Sequence, residues 1–474
     1  MRKNLNTAFT FFIIALTLTG AACTAPATNT NTNTNVNSNT APTPQNGTSA
    51  GADARNQAMT LPLLDAMFTD ESFAADVKSR LQLSDEQVNN LKKIAREQTA
   101  QLREVEGEGE YEGTTSAARA RAMEQIESAI GKDKAGQLAA LVNERWNTSG
   151  GATATATAPG AVPSDTRVVV NAPAFRMDVF EGGKLVKTYR VGIGYPEFPL
   201  PVGLRRADTI IFNPTWTPPD EPWVEAPGSK VKVGETVKAG DKLNPLGPIK
   251  IPIGLPSLIH GGKSSSRIGT FASHGCVGLT NAQVKDFSQL LGRLGGTQIS
   301  GADVAKYEKN KTETQNVKLQ TPVPVELRYE TISVVDGKLY IYRDVYDRNT
   351  NTEENLRAVL SAHGVSLDQL NEGERAQVME ALREMSRDAR GNLDSTAPNA
   401  NSNSNTNSNA NLNSNSNRNG DGRNITRTIK GRKEAVIEIA ALQGKGYPAP
   451  VNLDMGGSKP EPAAGSQPAG RKRP

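Results

Sequence analysis

Two scarce residue types in this chain gather in one place. Among 474 residues there are only 2 cysteines and 3 histidines. One cysteine stands in the run Ser273-His274-Gly275-Cys276, with His260-Gly261 shortly before it. A thiol is a useful nucleophile only as thiolate, and a nearby imidazole is the usual means of lowering its pKa. Glycine directly before the nucleophile lets the backbone approach a substrate closely and adopt angles closed to other residues. The combination predicts cysteine acyl transfer, with Cys276 as nucleophile and His260 as proton donor and acceptor. A Cys/His zinc site needs three or four ligands and would take nearly every one of the three histidines and one free cysteine on offer, so no metal is expected, and no cofactor. His363-Gly364 lies outside the motif and reads as a surface helix end.

The His-Gly followed by Ser-His-Gly-Cys resembles the L,D-transpeptidase family, the YkuD-type domain. Further segments resemble that family in the expected order: the opening hairpin at residues 166–192, the Gly- and Pro-marked connection from Ile193-Gly194 to Pro201-Val202-Gly203, Asn213-Pro214-Thr215-Trp216, and Asn244-Pro245-Leu246-Gly247. The resemblance implies that the carbonyl of Gly261 orients the His260 imidazole. It implies that Ser273, His274 and Gly275 shape the nucleophile loop, and that backbone N–H groups around His274, Gly275 and Cys276 hold the oxyanion. It also implies a substrate, the peptidoglycan stem peptide, whose acyl group passes through Cys276 to an amine of another stem, and acylation of the cysteine by carbapenems. Two other readings remain: an L,D-carboxypeptidase, in which water takes the acyl group, and a non-catalytic peptidoglycan-binding envelope lipoprotein.

One departure matters. Many relatives carry an arginine two residues after the cysteine, where this chain has Gly278. A guanidinium grips a carboxylate bidentately and glycine cannot. Arg267 is the first candidate to supply the missing cation and Lys263 the second, both in the loop between His260 and Cys276. Trp216 is a candidate for lining the substrate cleft, as is Trp223.

The elements that must position these residues are legible in outline. Only 36% of the chain is hydrophobic, and with its Asn/Ser/Thr tracts set aside roughly 250 residues can form cores. The net charge of +4 is too small to imply nucleic-acid binding. The expected fold class is α+β multidomain: a strand-rich L,D-transpeptidase-type catalytic domain flanked by helical segments and disordered Asn/Ser/Thr-rich linkers. Residues 1–22 read as a signal peptide, with Arg2 and Lys3 ahead of a short apolar stretch. Leu18-Thr19-Gly20-Ala21-Ala22-Cys23 resembles a lipobox, which makes Cys23 the expected lipidation site and puts the protein in the envelope or periplasm on a lipid anchor in the membrane. Residues 23–57 are a disordered polar tether, in which the low-complexity run 28–49 has an r.m.s. span of roughly 25 Å.

Residues 58–146 are expected to be helical, as a hairpin, with Ser84 and Gln87 forming a capping box. A linker at 147–165 leads into the catalytic domain at 166–301, where Met177 and Val179 alternate with polar neighbours as in a half-buried strand. Residues 302–346 are expected to be a C-terminal strand extension, with a hairpin of 325–335 and 338–343 turning at Asp336-Gly337. Then follow a helical segment at 347–395, an Asn/Ser-rich linker at 396–420, and a basic tail at 421–474 with one short helix at 435–442.

Overall fold

The computed structural model of the protein describes residues 59–100, 102–103, 115–148, 156–218, 224, 229–254, 256–389, 391, 423–424 and 427–457. The chain divides into two units, Met1–Thr48 and Ser49–Pro474. The whole of the first, with the expected signal peptide and Cys23, lies outside the described residues, as do the expected 396–420 linker and Trp223. No described helix is long and apolar enough to cross a membrane.

The N-terminal helices are α1 (Leu61–Phe68), α2 (Glu71–Arg80), α3 (Asp85–Ala100), α4 (Thr115–Ile130) and α5 (Lys132–Thr148). They make a five-helix layer rather than the expected hairpin. The first three starts have a local cause. Ser84 and Gln87 exchange the two bonds of a capping box, and Thr60 and Asp70 cap α1 and α2. The layer has its own core, in which Leu64, Val77, Leu91, Ala122, Ile126 and Leu138 are buried.

The catalytic part is built on an eight-stranded sheet. Its strands are β1 (Arg167–Asn171), β2 (Arg176–Glu181), β3 (Lys184–Arg190), β5 (Gly203–Phe212), β6 (Ile249–Pro252), β7 (Leu258–His260), β9 (Val277–Gly278) and β10 (Gln315–Arg328). The short strands β4 (Ile193–Gly194) and β8 (Phe271–Ser273) pair with each other beside it. The order across the sheet is β9-β7-β6-β5-β10-β1-β2-β3. Inner strands must be apolar on both faces, and Val168, Val169 and Val170 of β1 are all buried. Helices α6 (Asn281–Leu294) and α7 (Gly301–Lys309) follow the nucleophile. A capping box between Thr280 and Gln283 starts α6, three residues earlier than the apolar periodicity alone suggests.

Two expectations need correction. The catalytic sheet does not end at 301, because β10 is an inner strand that pairs antiparallel with β5 and parallel with β1. Residues 325–328 therefore belong to that sheet, and the later hairpin is only β11 (Ile332–Val335) with β12 (Lys338–Tyr342). It turns at Asp336 and Gly337, both at positive φ, the backbone that tight hairpins require.

The second correction is at residues 435–442, which are not a helix. Glu434–Glu438 is β13, the third strand of a sheet with β11 and β12, followed by a single 3-10 turn. Ala435, Ile437 and Ile439 are buried whereas Val436 is exposed, which is period two and not 3.6. This small sheet packs on α8 (Glu353–Ala362) and α9 (Glu372–Met385) around Leu339, Ile341, Leu356, Leu360 and Val378.

The C-terminal segment is no free tail either. Residues 451–454 run along β3, with Thr188 and Arg190 donating N–H bonds to the carbonyls of Val451 and Asp454 at 2.8 and 2.9 Å, so the last sheet edge is covered. If 434–438 is a strand, Ile437→Ala should cost about 2–4 kcal/mol of unfolding free energy. Val436→Ala, at a site 43% exposed, should stay within about 0.5 kcal/mol. Urea titrations of the two variants measure the difference.

Candidate active site

Strands β7 and β9 bring the chemistry together. They pair in parallel, with Val277 opposite Ile259 and Gly278 opposite His260. Cys276 therefore enters the sheet beside the strand that ends in His260. On its other side His260 faces Lys250 of β6. The imidazole is buried, and Cys276 is a half-buried free thiol.

The His260 ring is fixed by its neighbour. Its Nδ1 lies 2.7 Å from the carbonyl oxygen of Gly261. A carbonyl accepts only, so Nδ1 carries the hydrogen and Nε2 is left as the basic nitrogen. The loop behind it is held by residues whose purpose the sequence did not reveal. Gly262 N–H donates to Asn281 Oδ1 at 2.8 Å. Gly247 packs so closely that a Cβ there would lie 2.3 Å from Gly262 N, and the Leu246 backbone reaches the imidazole. The Asn244-Pro245-Leu246-Gly247 segment is thus a brace behind the base. Asn244 in turn donates to the Pro214 carbonyl at 2.8 Å.

The nucleophile turn closes on itself. Ser273 Oγ donates to the Cys276 carbonyl at 2.6 Å and accepts from the Cys276 N–H at 3.0 Å. That N–H is therefore engaged in this state, which removes one of the three donors expected to hold an oxyanion. Gly275 has φ +83, a left-handed backbone that a side chain would strain. Its carbonyl accepts from Ser257 Oγ at 2.8 Å. His274 is packed edge-on between two rings, 5.1 Å from Tyr195 and 4.6 Å from Phe198 between centroids. Neither aromatic was singled out from the sequence. Their only signal was their place in the Gly- and Pro-marked connection.

Burial controls the electrostatics. It pushes His260 far down, to about 3 from 6.5, assisted by the charge of Lys263 and less by that of Lys250. It also pushes the Cys276 thiol up, against a backbone hydrogen bond from Leu258 and the charge of Lys263. Both effects disfavour the charged forms. The resting pair is consequently neutral thiol and neutral imidazole, not a preformed ion pair.

Residues 165–325 match the family model of the YkuD L,D-transpeptidase catalytic domain. Solved structures similar to this chain include the Ldtfm–avibactam carbamoyl enzyme, at 17% identity, TM-score 0.22, over 35% of this chain and 49% of that one. The catalytic domain of the E. faecium L,D-transpeptidase is similar at 15% identity, TM-score 0.23, over 35% and 100%. An L,D-transpeptidase from Mycobacterium smegmatis is similar at 16% identity, TM-score 0.21, over 35% and 58%. The chain thus covers about half of the first of these. No match was found among curated proteins.

Within residues 165–325 the two candidate cations have different positions. Arg267 ends the 3-10 turn Ser265–Arg267 and is half-buried. Lys263 instead lies against Gly278, where an added Cβ would meet its Cγ at 2.8 Å. An arginine at 278 would therefore have to displace Lys263. Trp216 is half-buried and bridges through its backbone to Val237. His363 is the C-cap of α8.

The low His260 pKa sets the pH behaviour. Protonation removes the base, and a depressed pKa postpones that loss to lower pH. The charged groups acting on His260 are Lys263 and, more weakly, Lys250. The kcat/KM of acylation should therefore stay level from about pH 7 to about pH 5. A fall centred near the ordinary histidine value of 6.5 would show that the imidazole is hydrated.

Proposed function

We propose that the protein is a peptidoglycan L,D-transpeptidase that forms an acyl-enzyme on Cys276. What supports this most is the placement of His260 at the end of β7 and of Cys276 directly before the adjacent strand β9, with the Gly261 carbonyl fixing the His260 tautomer. Proximity and orientation of this kind replace a preformed charge.

The Cys276 proton passes to His260 Nε2 as the sulfur attacks the amide carbonyl of a stem peptide. The tetrahedral oxyanion is held by N–H groups of the nucleophile turn. The C–N bond then breaks, the departing amine takes the proton from His260, and a thioester remains on Cys276. An amine of a second stem peptide attacks the thioester and gives its proton to His260. The thiolate leaves and recovers that proton. Because both partners start neutral, no ion pair has to be stored in the buried site before substrate arrives.

The protein would work in the cell envelope, tethered through a lipid on Cys23, cross-linking or remodelling the wall. Labelled palmitate should be incorporated by the wild type and lost in Cys23→Ala.

The decisive measurement is intact mass after addition of a carbapenem, with a stable adduct expected on Cys276. Cys276→Ala should abolish both the adduct and turnover of a disaccharide-tetrapeptide. His260→Ala should reduce turnover by about 10²- to 10⁴-fold, the usual contribution of a general base. Both variants should remain folded. Wild-type turnover in Cys276→Ala would sink the mechanism. Release of free acid without transfer to any added amine would assign the carboxypeptidase reading instead.

A further inference from the structure

Gly278 faces His260 across β7 and β9 and is the first residue beyond Val277 after the nucleophile. The space above it is filled. A Cβ at 278 would lie 2.8, 3.1 and 3.4 Å from Cγ, Cε and Cδ of Lys263. The stem of Lys263 therefore lies along the backbone of Gly278, a path that only glycine leaves open. The Lys263 backbone is tied to the same strand end, its N–H donating to the Leu279 carbonyl at 3.1 Å. Lys263 is half-buried.

We propose that Lys263, seated on Gly278, is a substrate-binding residue that draws a carboxylate-bearing acyl donor to Cys276. The proposal rests on the transpeptidase reading for the identity of the donor, but not for the cation site itself. The charge of Lys263 acts on both Cys276 and His260, so it lies within electrostatic reach of the reacting atoms. Lys250 acts on His260 only. A point cation beside the sulfur favours an incoming anion and also the thiolate, whereas a lone effect on the thiol would not discriminate between charged and neutral reagents. Discrimination is therefore the quantity to measure. Residues 263 and 278 act as one unit, because a side chain at 278 must push the lysine stem aside.

The test uses the full chain and two alkylating reagents of similar size, anionic iodoacetate and neutral iodoacetamide. Each forms a carbon–sulfur bond at Cys276 with loss of iodide, and intact mass gives the rates. Lys263→Met keeps the stem and removes the charge. It should lower the iodoacetate-to-iodoacetamide rate ratio by about tenfold, in the range of one charge-assisted contact. Lys263→Arg should retain the ratio, and Gly278→Ala should lower it without deleting a charge.

With peptide donors, Lys263→Met should lose roughly ten- to hundredfold in kcat/KM, mostly through KM, on a tetrapeptide ending in carboxylate. It should lose little on the terminal amide. An unchanged alkylation ratio in Lys263→Met overturns the proposal whatever the peptide kinetics. A lowered ratio with no peptide turnover in the wild type supports the cation site and overturns the transpeptidase reading.

Discussion

A neutral imidazole kept dry at the end of a β-strand is the condition on which this site depends. His260 lies between β6 and β9, with a carbonyl on Nδ1 and a lysine charge on each flank. Every one of those neighbours except the carbonyls makes protonation harder. Burial and the two lysine charges both disfavour an imidazolium at His260 at rest, because it would add a third positive charge beside Lys250 and Lys263. The thiol is correspondingly raised. A neutral thiol reacts slowly with oxidants and stray electrophiles, which suits a protein expected outside the cytoplasm. Reactivity has to be created by a bound carbonyl that accepts electron density as the proton moves.

Geometry must then do what charge does not, and the surrounding packing shows how. The base is braced by Leu246, Gly247 and Asn281, and the nucleophile turn by Ser257, Ser273 and the aromatic pair Tyr195 and Phe198. The loop that carries the aromatics is itself held by the N-terminal helices. Thr60, the N-cap of α1, donates to the Glu197 carbonyl at 2.7 Å, and Thr115 at the start of α4 donates to the Pro196 carbonyl at 2.8 Å. Both threonines are fully buried, so these bonds are exchanged with little competition from water. The five-helix layer thus reaches His274 through one loop, and its integrity bears on the shape of the nucleophile turn.

What was legible in the sequence was local. The Ser84–Gln87 capping box, the Asp336-Gly337 turn and the 177/179 alternation each depend on residues within a few positions of one another. The neighbourhood of His260 and Cys276, the proposed catalytic pair, was legible for a different reason, since cysteine and histidine are so rare in this chain that their proximity is informative. Long-range pairing was not legible. Residues 315–318 of β10 alternate in burial and pair with β5 alone, whereas 325–327 lie between β5 and β1. Residues 435–439 carry alanine and isoleucine, which fit a helix or a strand. Only the partner β12 decides between them. The contact of Lys263 with Gly278 was hidden in the same way. The absence of a side chain at 278 reads as a loss until the lysine stem is found lying in the space.

That contact also depends on the far end of the chain. The loop between His260 and Cys276 would be a free connection if its own residues were all that held it. Instead Ser265 Oγ donates to the Gly456 carbonyl at 2.6 Å, Thr270 Oγ1 to the Arg427 carbonyl at 3.2 Å, and Lys433 Nζ to the Gly269 carbonyl at 2.6 Å. Gln283 on α6 donates to the carbonyls of both Arg190 and Asp454, locking the returning segment against β3 and the helix behind the nucleophile. A side chain as long as lysine gives up conformational freedom when its stem is fixed, and it can be fixed only if the backbone beneath it does not move. The C-terminal segment supplies that rigidity. It makes the strap along β3 part of the active-site architecture, although it contributes no group to the chemistry.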